Sequence, residues 1–462
     1  MKRTHSQISG HRISRAGSLP HVVIVGAGFG GLAAAKALQT APVDVTVIDR
    51  TNHFLFQPLL YQVAAGLLSA ADIAVPTRFL LRRQKNANVL MADVGAIDLA
   101  CRRVIADNGR RQIPYDYLIV ATGARHSYFG HPEWERVAPG LKTLEDARAV
   151  RHRFLMAFEE AEKCDDPTER DALLTFAIIG GGSTGVELAG VLPTIARRGI
   201  RRDFRRIDPA RIRVALLEGG SRLLPAFPES LAVRAAHDLK ELGVQCRTGA
   251  TVTRVAPDGV YVGDERIPAR TVFWAAGNAP SPLIRSMGVP VDRAGRALVA
   301  PDLSVPHHPE AFVIGDAAAA LAREDRHDPS CASRPPQYVP GLAAAANQMG
   351  VHAATTILRS LRGQPRVPFR YRDRGSLAVI GRGRAIADFG RLKLTGPIAF
   401  VTWLFVHLLY LAGFRSRLSV LLDWGYAYFT YRPSARLITE HDGAGAANIP
   451  AVAERDRAAR PA

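Results

Sequence analysis

Two stretches of this chain follow one pattern. Residues 22–32, VVIVGAGFGGL, and residues 176–190, FAIIGGGSTGVELAG, each run from a short apolar stretch, through closely spaced glycines, into strong helix formers. The glycines carry the constraint. Gly26 is expected to make a tight turn, Gly28 to let a pyrophosphate approach the backbone, and Gly31 to let the helix pack closely on the strand. Gly180, Gly182 and Gly185 repeat the set. The helix that follows each turn offers unpaired N–H groups to phosphates. One such turn holds one nucleotide; two in one chain suggest that electrons pass between two nucleotides and then need a destination.

The strands that follow reinforce this. VDVTVIDR (43–50) ends in Asp49, 18 residues beyond Gly31 and next to Arg50, and an acid at that distance is placed to accept hydrogen bonds from a ribose. RVALLEGG (213–220) brings Glu218 to the same position in the second unit. It comes later than usual because RRGIRRDFRRIDPAR, read as a solvated loop, intervenes. An acid there favours the 2′-hydroxyl of NADH and repels the 2′-phosphate of NADPH. Glu187 sits two residues beyond Gly185, in the first helical turn. It either complements the helix dipole or supplies a carboxylate near the nicotinamide that positions the cofactor or relays a proton. The predicted fold is α/β, with two Rossmann-like dinucleotide-binding domains.

Composition bounds the partners. A chain of 462 residues has room for several cores, and 47% hydrophobic with 22% charged residues excludes wholesale disorder. The formal net charge of +18 suits nucleic acid, an anionic membrane surface or a merely arginine-rich composition, and the total cannot choose among them. Nucleic-acid binding rests on that total alone and is discounted. Cys101, Cys164, Cys246 and Cys331 lie far apart, which argues against a disulfide scaffold or zinc ribbon and fits four structural thiols in a reducing compartment. No metal-cluster spacing is present. Residues 1–20 are basic without an apolar core, so they read as a loose tail rather than a secretory signal.

The arrangement resembles the two-dinucleotide-binding-domain flavoproteins, which implies FAD at the first turn and NADH at the second. YDYLIVATGA (115–124), with Thr122 and Gly123, looks like the strand and turn returning to the FAD domain. RTVFWAAGNAP (270–280), with Gly277, looks like its counterpart leaving the NADH domain. AFVIGDAAA (311–319) resembles the motif whose Gly315 and Asp316 meet the flavin nucleotide. Disulfide reductases carry a cysteine pair after the first turn, where this chain has FLFQPLLYQVAAG (54–66). That stretch and the run 376–438 resemble type II NADH dehydrogenases, the alternative NADH:quinone oxidoreductases. The resemblance implies a FAD domain over 21–140 and 286–365, an NADH domain over 141–285, a membrane-associated region over 366–440 and a tail over 441–462. Family members often carry A-Q-x-A-x-Q at the helix facing flavin and quinone. Here Ala344 stands at the first glutamine position and Gln348 at the second, so Gln348 is the expected neighbour of the quinone headgroup. The start of that helix, near 340–342, is expected to aim its positive end at the reduced flavin.

The C-terminal region suggests where the electrons go. PIAFVTWLFVHLLYLAGF (397–414) is an apolar run of 18 residues, marginal for crossing a bilayer, which takes about 20. After it, Leu418, Leu421, Leu422 and Phe429 share one helical face. Trp403, Trp424, Tyr410, Tyr426, Tyr428 and Tyr431 add rings that prefer a membrane boundary. Residues 365–440 hold 12 basic and 4 acidic side chains, a surplus that anionic lipid attracts. The reading is an amphipathic, monotopic anchor on the cytoplasmic face of the inner membrane. A spanning helix, a buried core helix and a homodimer contact are the alternatives. The resemblance implies that NADH reduces the flavin and a membrane quinone takes the electrons and two protons, without proton pumping. The rivals are a sulfide:quinone oxidoreductase using Cys164 and Cys331, a soluble ferredoxin reductase, and an NADH-gated flavoprotein that binds a partner.

Overall fold

The computed structural model describes residues 19–322, 337–430 and 435–438. The tail up to residue 18, Cys331, Tyr431, the tail from 441 and the side chains of Tyr428 and Phe429 lie outside that description. In chain order its main elements begin with β1 (His21–Val25), α1 (Phe29–Ala37), β2 (Asp44–Asp49), α2 (Leu60–Ala64), β3 (Ala87–Met91) and β4 (Tyr117–Val120). Then come α3 (Leu144–Lys163), β5 (Thr175–Ile179), α4 (Ser183–Thr194), β6 (Arg213–Leu217), α5 (Glu229–Glu241), β7 (Val244–Arg247) and β8 (Thr271–Trp274). The remainder is β9 (Ser304–Val305), β10 (His308–Val313), α6 (Ala343–Leu361), β11 (Ser376–Gly381), β12 (Arg384–Phe389), β13 (Leu392–Thr395), α7 (Gly396–Tyr410) and α8 (Phe414–Thr430).

One compact unit takes the described residues up to Phe54 together with Pro76–Arg125 and Ala279–Asp373. Its sheet has the order β9-β10-β4-β1-β2-β3, with β1 parallel to both β2 and β4. Val22, Val23 and Ile24 are fully buried. A parallel strand covered on both faces needs an unbroken apolar run, which is how β1 reads. Helix α1 crosses α6 at glycines: a Cβ on Gly350 would lie 2.1 Å from the Gly30 carbonyl oxygen.

The second unit takes Leu55–Val75, His126–Asn278 and the described residues from Arg374 onward. Its parallel sheet has the order β7-β6-β5-β8. The antiparallel meander β11-β12-β13 packs β11 on α4, where a Cβ on Gly190 would stand 1.7 Å from the Ile380 carbonyl oxygen. The connection between α4 and β6 exposes most of its arginines, as a solvated loop requires, but buries Ile200 and Ile207.

Helix α7 has 15 residues, roughly 22 Å at 1.5 Å per residue, against a bilayer core of about 30 Å. The chain leaves the helix after Tyr410, and Gly413 adopts a left-handed φ of 87° before α8 begins. Among the described residues no helix is long and apolar enough to cross a membrane. The inner face of α7 buries Trp403, whose ring stacks on His407 at 4.2 Å and tilts against Trp424 at 5.6 Å. Burial lowers the His407 imidazole to about 4, against the pull of its Nδ1–H bond to the Trp403 carbonyl, so the ring is uncharged at neutral pH. The outer face exposes Ile398, Val401, Phe405 and Leu409, and α8 continues it with Phe414, Leu418, Leu421 and Leu422.

Candidate active site

The first turn is built as its glycines require. Gly26 has φ 103°, and a Cβ there would lie 2.3 Å from the Ala121 carbonyl oxygen. A Cβ on Gly31 would lie 1.8 Å from the Gly26 oxygen, so helix and turn touch only because both residues lack one. Gly28 is the opposite case, with open space where its Cβ would stand. Asp49, at the end of β2, folds back on the turn. Its Oδ2 accepts from the Ala27 N–H at 2.7 Å and its Oδ1 from Thr51 N–H and Oγ1–H, each at 2.8 Å. A carboxylate has about four acceptor sites, so Asp49 both shapes the turn and keeps capacity for a ribose. Arg50 beside it is exposed.

The rest of this unit's predicted set falls near the same strand ends. β4 delivers Thr122 and Gly123; the Thr122 hydroxyl oxygen is buried with no protein partner, and Gly123 has φ 63° with open space beyond. Gly315, with φ 67°, follows β10 and its N–H points to the Met349 sulfur at 3.1 Å. Asp316 faces the start of α6, since a Cβ on Gly341 would lie 3.0 Å from its Oδ1. An orphaned hydroxyl and two open glycine positions fit a nucleotide with many oxygen acceptors. Gln348 uses both ends of its amide on one residue: Nε2 donates to the Arg372 carbonyl at 2.9 Å and Oε1 accepts from the Arg372 N–H at 3.0 Å.

The second turn repeats the first closely. Gly180 has φ 112° and no room for a Cβ, Gly185 would place one 1.9 Å from the Gly180 oxygen, and Gly182 opens onto free space. Glu218 clamps the turn as Asp49 does, accepting from the N–H groups of Gly181 and Gly220, both at 2.6 Å. Its arginine neighbours have other tasks: Arg222 donates to the carbonyls of Phe227 and Pro225, and Arg247 forms a two-pronged pair with Glu265. Gly277, with φ 71°, packs under the Phe129 ring.

Glu187 was expected in the first helical turn, but α4 begins at Ser183 and its first turn holds no acid. Glu187 lies one turn in and projects into a small pocket lined by Gln57, Tyr61, Lys142 and Thr184. Burial pushes its carboxyl up to about 8, although a hydrogen bond from the Val379 main chain pulls the other way. A carboxyl titrating near neutrality inside a pocket can hold and release a proton during turnover, which a carboxylate serving only the helix dipole would not do.

Known proteins match this arrangement along its length. The pyridine nucleotide-disulphide oxidoreductase family model covers residues 20–350, and the NDH2 C-terminal domain model covers 374–433. The type II NADH:quinone oxidoreductase Ndh of Mycobacterium tuberculosis is 42% identical over 447 residues, 94% of this chain and 93% of its own length. The chain belongs to the type II NADH:quinone oxidoreductases. NdhA of the same organism is 43% identical across 90% of this chain and 88% of its own. A solved structure of NDH2 from Plasmodium falciparum in complex with NADH superposes with a TM-score of 0.81 over 91% of this chain and all of that one; at 21% identity this speaks for the fold.

In this type II NADH:quinone oxidoreductase three residues not expected at the site, Tyr61, Gln62 and Trp424, join one chain of hydrogen bonds that ends at the Glu187 pocket. Tyr61 and Gln62 lie in the stretch 54–66, noted above for its missing cysteines and its family resemblance, and Trp424, noted above as a membrane-boundary ring, lies in α8. Gln62 Nε2 donates to the Tyr61 hydroxyl at 3.0 Å, and Trp424 Nε1 donates to Gln62 Oε1 at 2.7 Å. The signal available in sequence was a pair of polar side chains inside an otherwise apolar segment.

Proposed function

We propose that this chain oxidises NADH and delivers the electrons through bound FAD to a membrane quinone, taking two protons for the quinol and moving none across the bilayer. The observation that carries this reading is the doubled turn, each with its clamped acid, in a chain whose C-terminal region matches that of its family. Bound flavin supplies the two-electron chemistry linking dihydronicotinamide to quinone.

The residues divide the remaining tasks. Gly28 and Gly182 leave room for a pyrophosphate at each helix N-terminus, where free N–H groups meet its charge. Asp49 keeps acceptor sites for the ribose of the flavin nucleotide, with Thr122, Gly123, Gly315 and Asp316 beside the same strand ends. Glu218 keeps two acceptor sites for the NADH ribose, and the engagement of Arg222 and Arg247 elsewhere leaves a 2′-phosphate poorly served. Glu187 holds a proton at neutral pH. Gln348, tied to the Arg372 main chain, fixes the extended segment that follows α6 and retains one N–H for a quinone oxygen. The exposed apolar faces of α7 and α8 rest in one leaflet of an anionic membrane, on the cytoplasmic side, where a quinone is dissolved.

The test is NADH oxidation by the detergent-solubilised protein with a short-chain ubiquinone analogue, run in parallel with NADPH. Fast turnover with NADH and little with NADPH is expected, and Glu218→Ala should narrow the gap roughly tenfold or more. Flavin that NADH reduces but no quinone reoxidises would overturn the electron destination.

A further inference from the structure

The hydrogen bonds leading to the Glu187 pocket have a direction that heavy atoms alone fix. An indole N–H can only donate. Trp424 Nε1 lies 2.7 Å from one end of the Gln62 amide, so that end is the oxygen and the other is the NH₂ group. The NH₂ end lies 3.0 Å from the Tyr61 hydroxyl, so at this contact the phenol oxygen accepts. Its own hydrogen is therefore left to point elsewhere. Tyr61 is 5% exposed and lines the small pocket that Glu187 enters from α4. Burial, and next the charge of Glu187, raise the phenol well above its usual range, so Tyr61 keeps its hydrogen throughout the working pH range.

We propose that Tyr61 is a positioning residue for Glu187: the Trp424–Gln62 pair turns its hydroxyl hydrogen into the pocket, where the O–H dipole faces the carboxyl without bonding it and favours its ionised form. The inference deepens the reading of Glu187 as a proton-holding acid and rests on it. A hydroxyl dipole aimed at the carboxyl across the pocket counteracts burial and keeps its titration close to neutrality, where a proton can be both held and passed on. Lys142 lines the same pocket, and β11, packed on α4, carries no titratable side chain. On α5, Asp238 is already paired with Arg234 and Arg384. The relay also begins in α8, the element bearing the outward apolar face, so the helix meant for lipid is tied to the acid by two hydrogen bonds and one pocket wall.

The experiment is an infrared titration of the protonated carboxyl band of Glu187 in flavin-loaded enzyme without quinone, with Glu187→Gln assigning the band. Tyr61→Phe should move its midpoint upward by about one pH unit, a tenfold gain in proton affinity. Trp424→Phe, which frees the Gln62 amide to flip, should move it upward by less. An unchanged midpoint in Tyr61→Phe overturns the role of Tyr61, and a shift there with none in Trp424→Phe overturns the relay. Failure of the wild-type enzyme to reduce quinone would instead strike the functional reading, and the carboxyl titration is independent of that result.

Discussion

At the scale of single residues, the stored consequence of Glu187 is a pH dependence of stability. Its carboxyl is held protonated to about 8 in the folded chain, against an ordinary value of 4.5. A carboxyl with a raised folded pKa favours the folded state fully below the ordinary value, and that advantage is lost as pH rises through the folded one. Between about 4.5 and 8 the wild type should therefore lose stability relative to Glu187→Gln, by at most about 1.4 kcal/mol per pH unit. Thermal melts of both proteins at five pH values across that window check this, and parallel curves would refute it. Legibility at this scale followed sequence distance. Asp49 and Glu218 could be placed in advance because each stands at the end of the strand that follows its glycine turn and helix. Trp424 meets Gln62 across 362 residues, and no local rule connects them. Gln348 was legible as a helical residue of interest, but its bond to Arg372 depends on how the chain returns after α6.

At the scale of elements, the glycines of the second turn separate two roles that sequence assigns together. Gly185 has no room: a methyl would meet the Gly180 oxygen at 1.9 Å, and the turn would have to open. Gly182 has an ordinary φ of −72° and free space around it. Gly182→Ala should thus melt within about 1 °C of the wild type yet bind NADH at least tenfold more weakly, because in the proposed function the methyl would stand where the pyrophosphate approaches. Gly185→Ala should weaken NADH and also melt several degrees lower, since overpacking against backbone typically costs about 1–3 kcal/mol. Calorimetry of NADH binding together with melting curves distinguishes them, and equal melting losses would refute the division. The crossings at Gly190 on Ile380 and Gly350 on Gly30 obey the same physics but stayed invisible in sequence. A glycine inside a helix says that something comes close, and only the fold says what.

At the scale of the whole molecule, the proposed function makes the surplus of positive charge and the bare apolar face one membrane-binding device. Truncating the chain before β11 is a poor test of it, because that strand packs on Gly190, Ser419 Oγ donates to Asp72 at 2.7 Å, and Trp403 is buried. Truncation would remove core as well as anchor. The outer face can be changed alone: Phe405 is 65% and Phe414 81% exposed. Two forces should act at the membrane. Attraction of the basic side chains to anionic lipid is about 1 kcal/mol each near the surface and is screened by salt. Apolar burial, about 25 cal/mol per Å², is not screened. Wild-type protein should therefore sediment with anionic vesicles at low salt and partly remain bound at 0.5 M salt. Phe405→Glu combined with Phe414→Glu removes the unscreened part, so binding at 0.5 M salt should vanish while a weak, salt-sensitive association with anionic vesicles survives. If the double variant stays bound at high salt as well as the wild type does, these helices are not what holds the enzyme to its membrane.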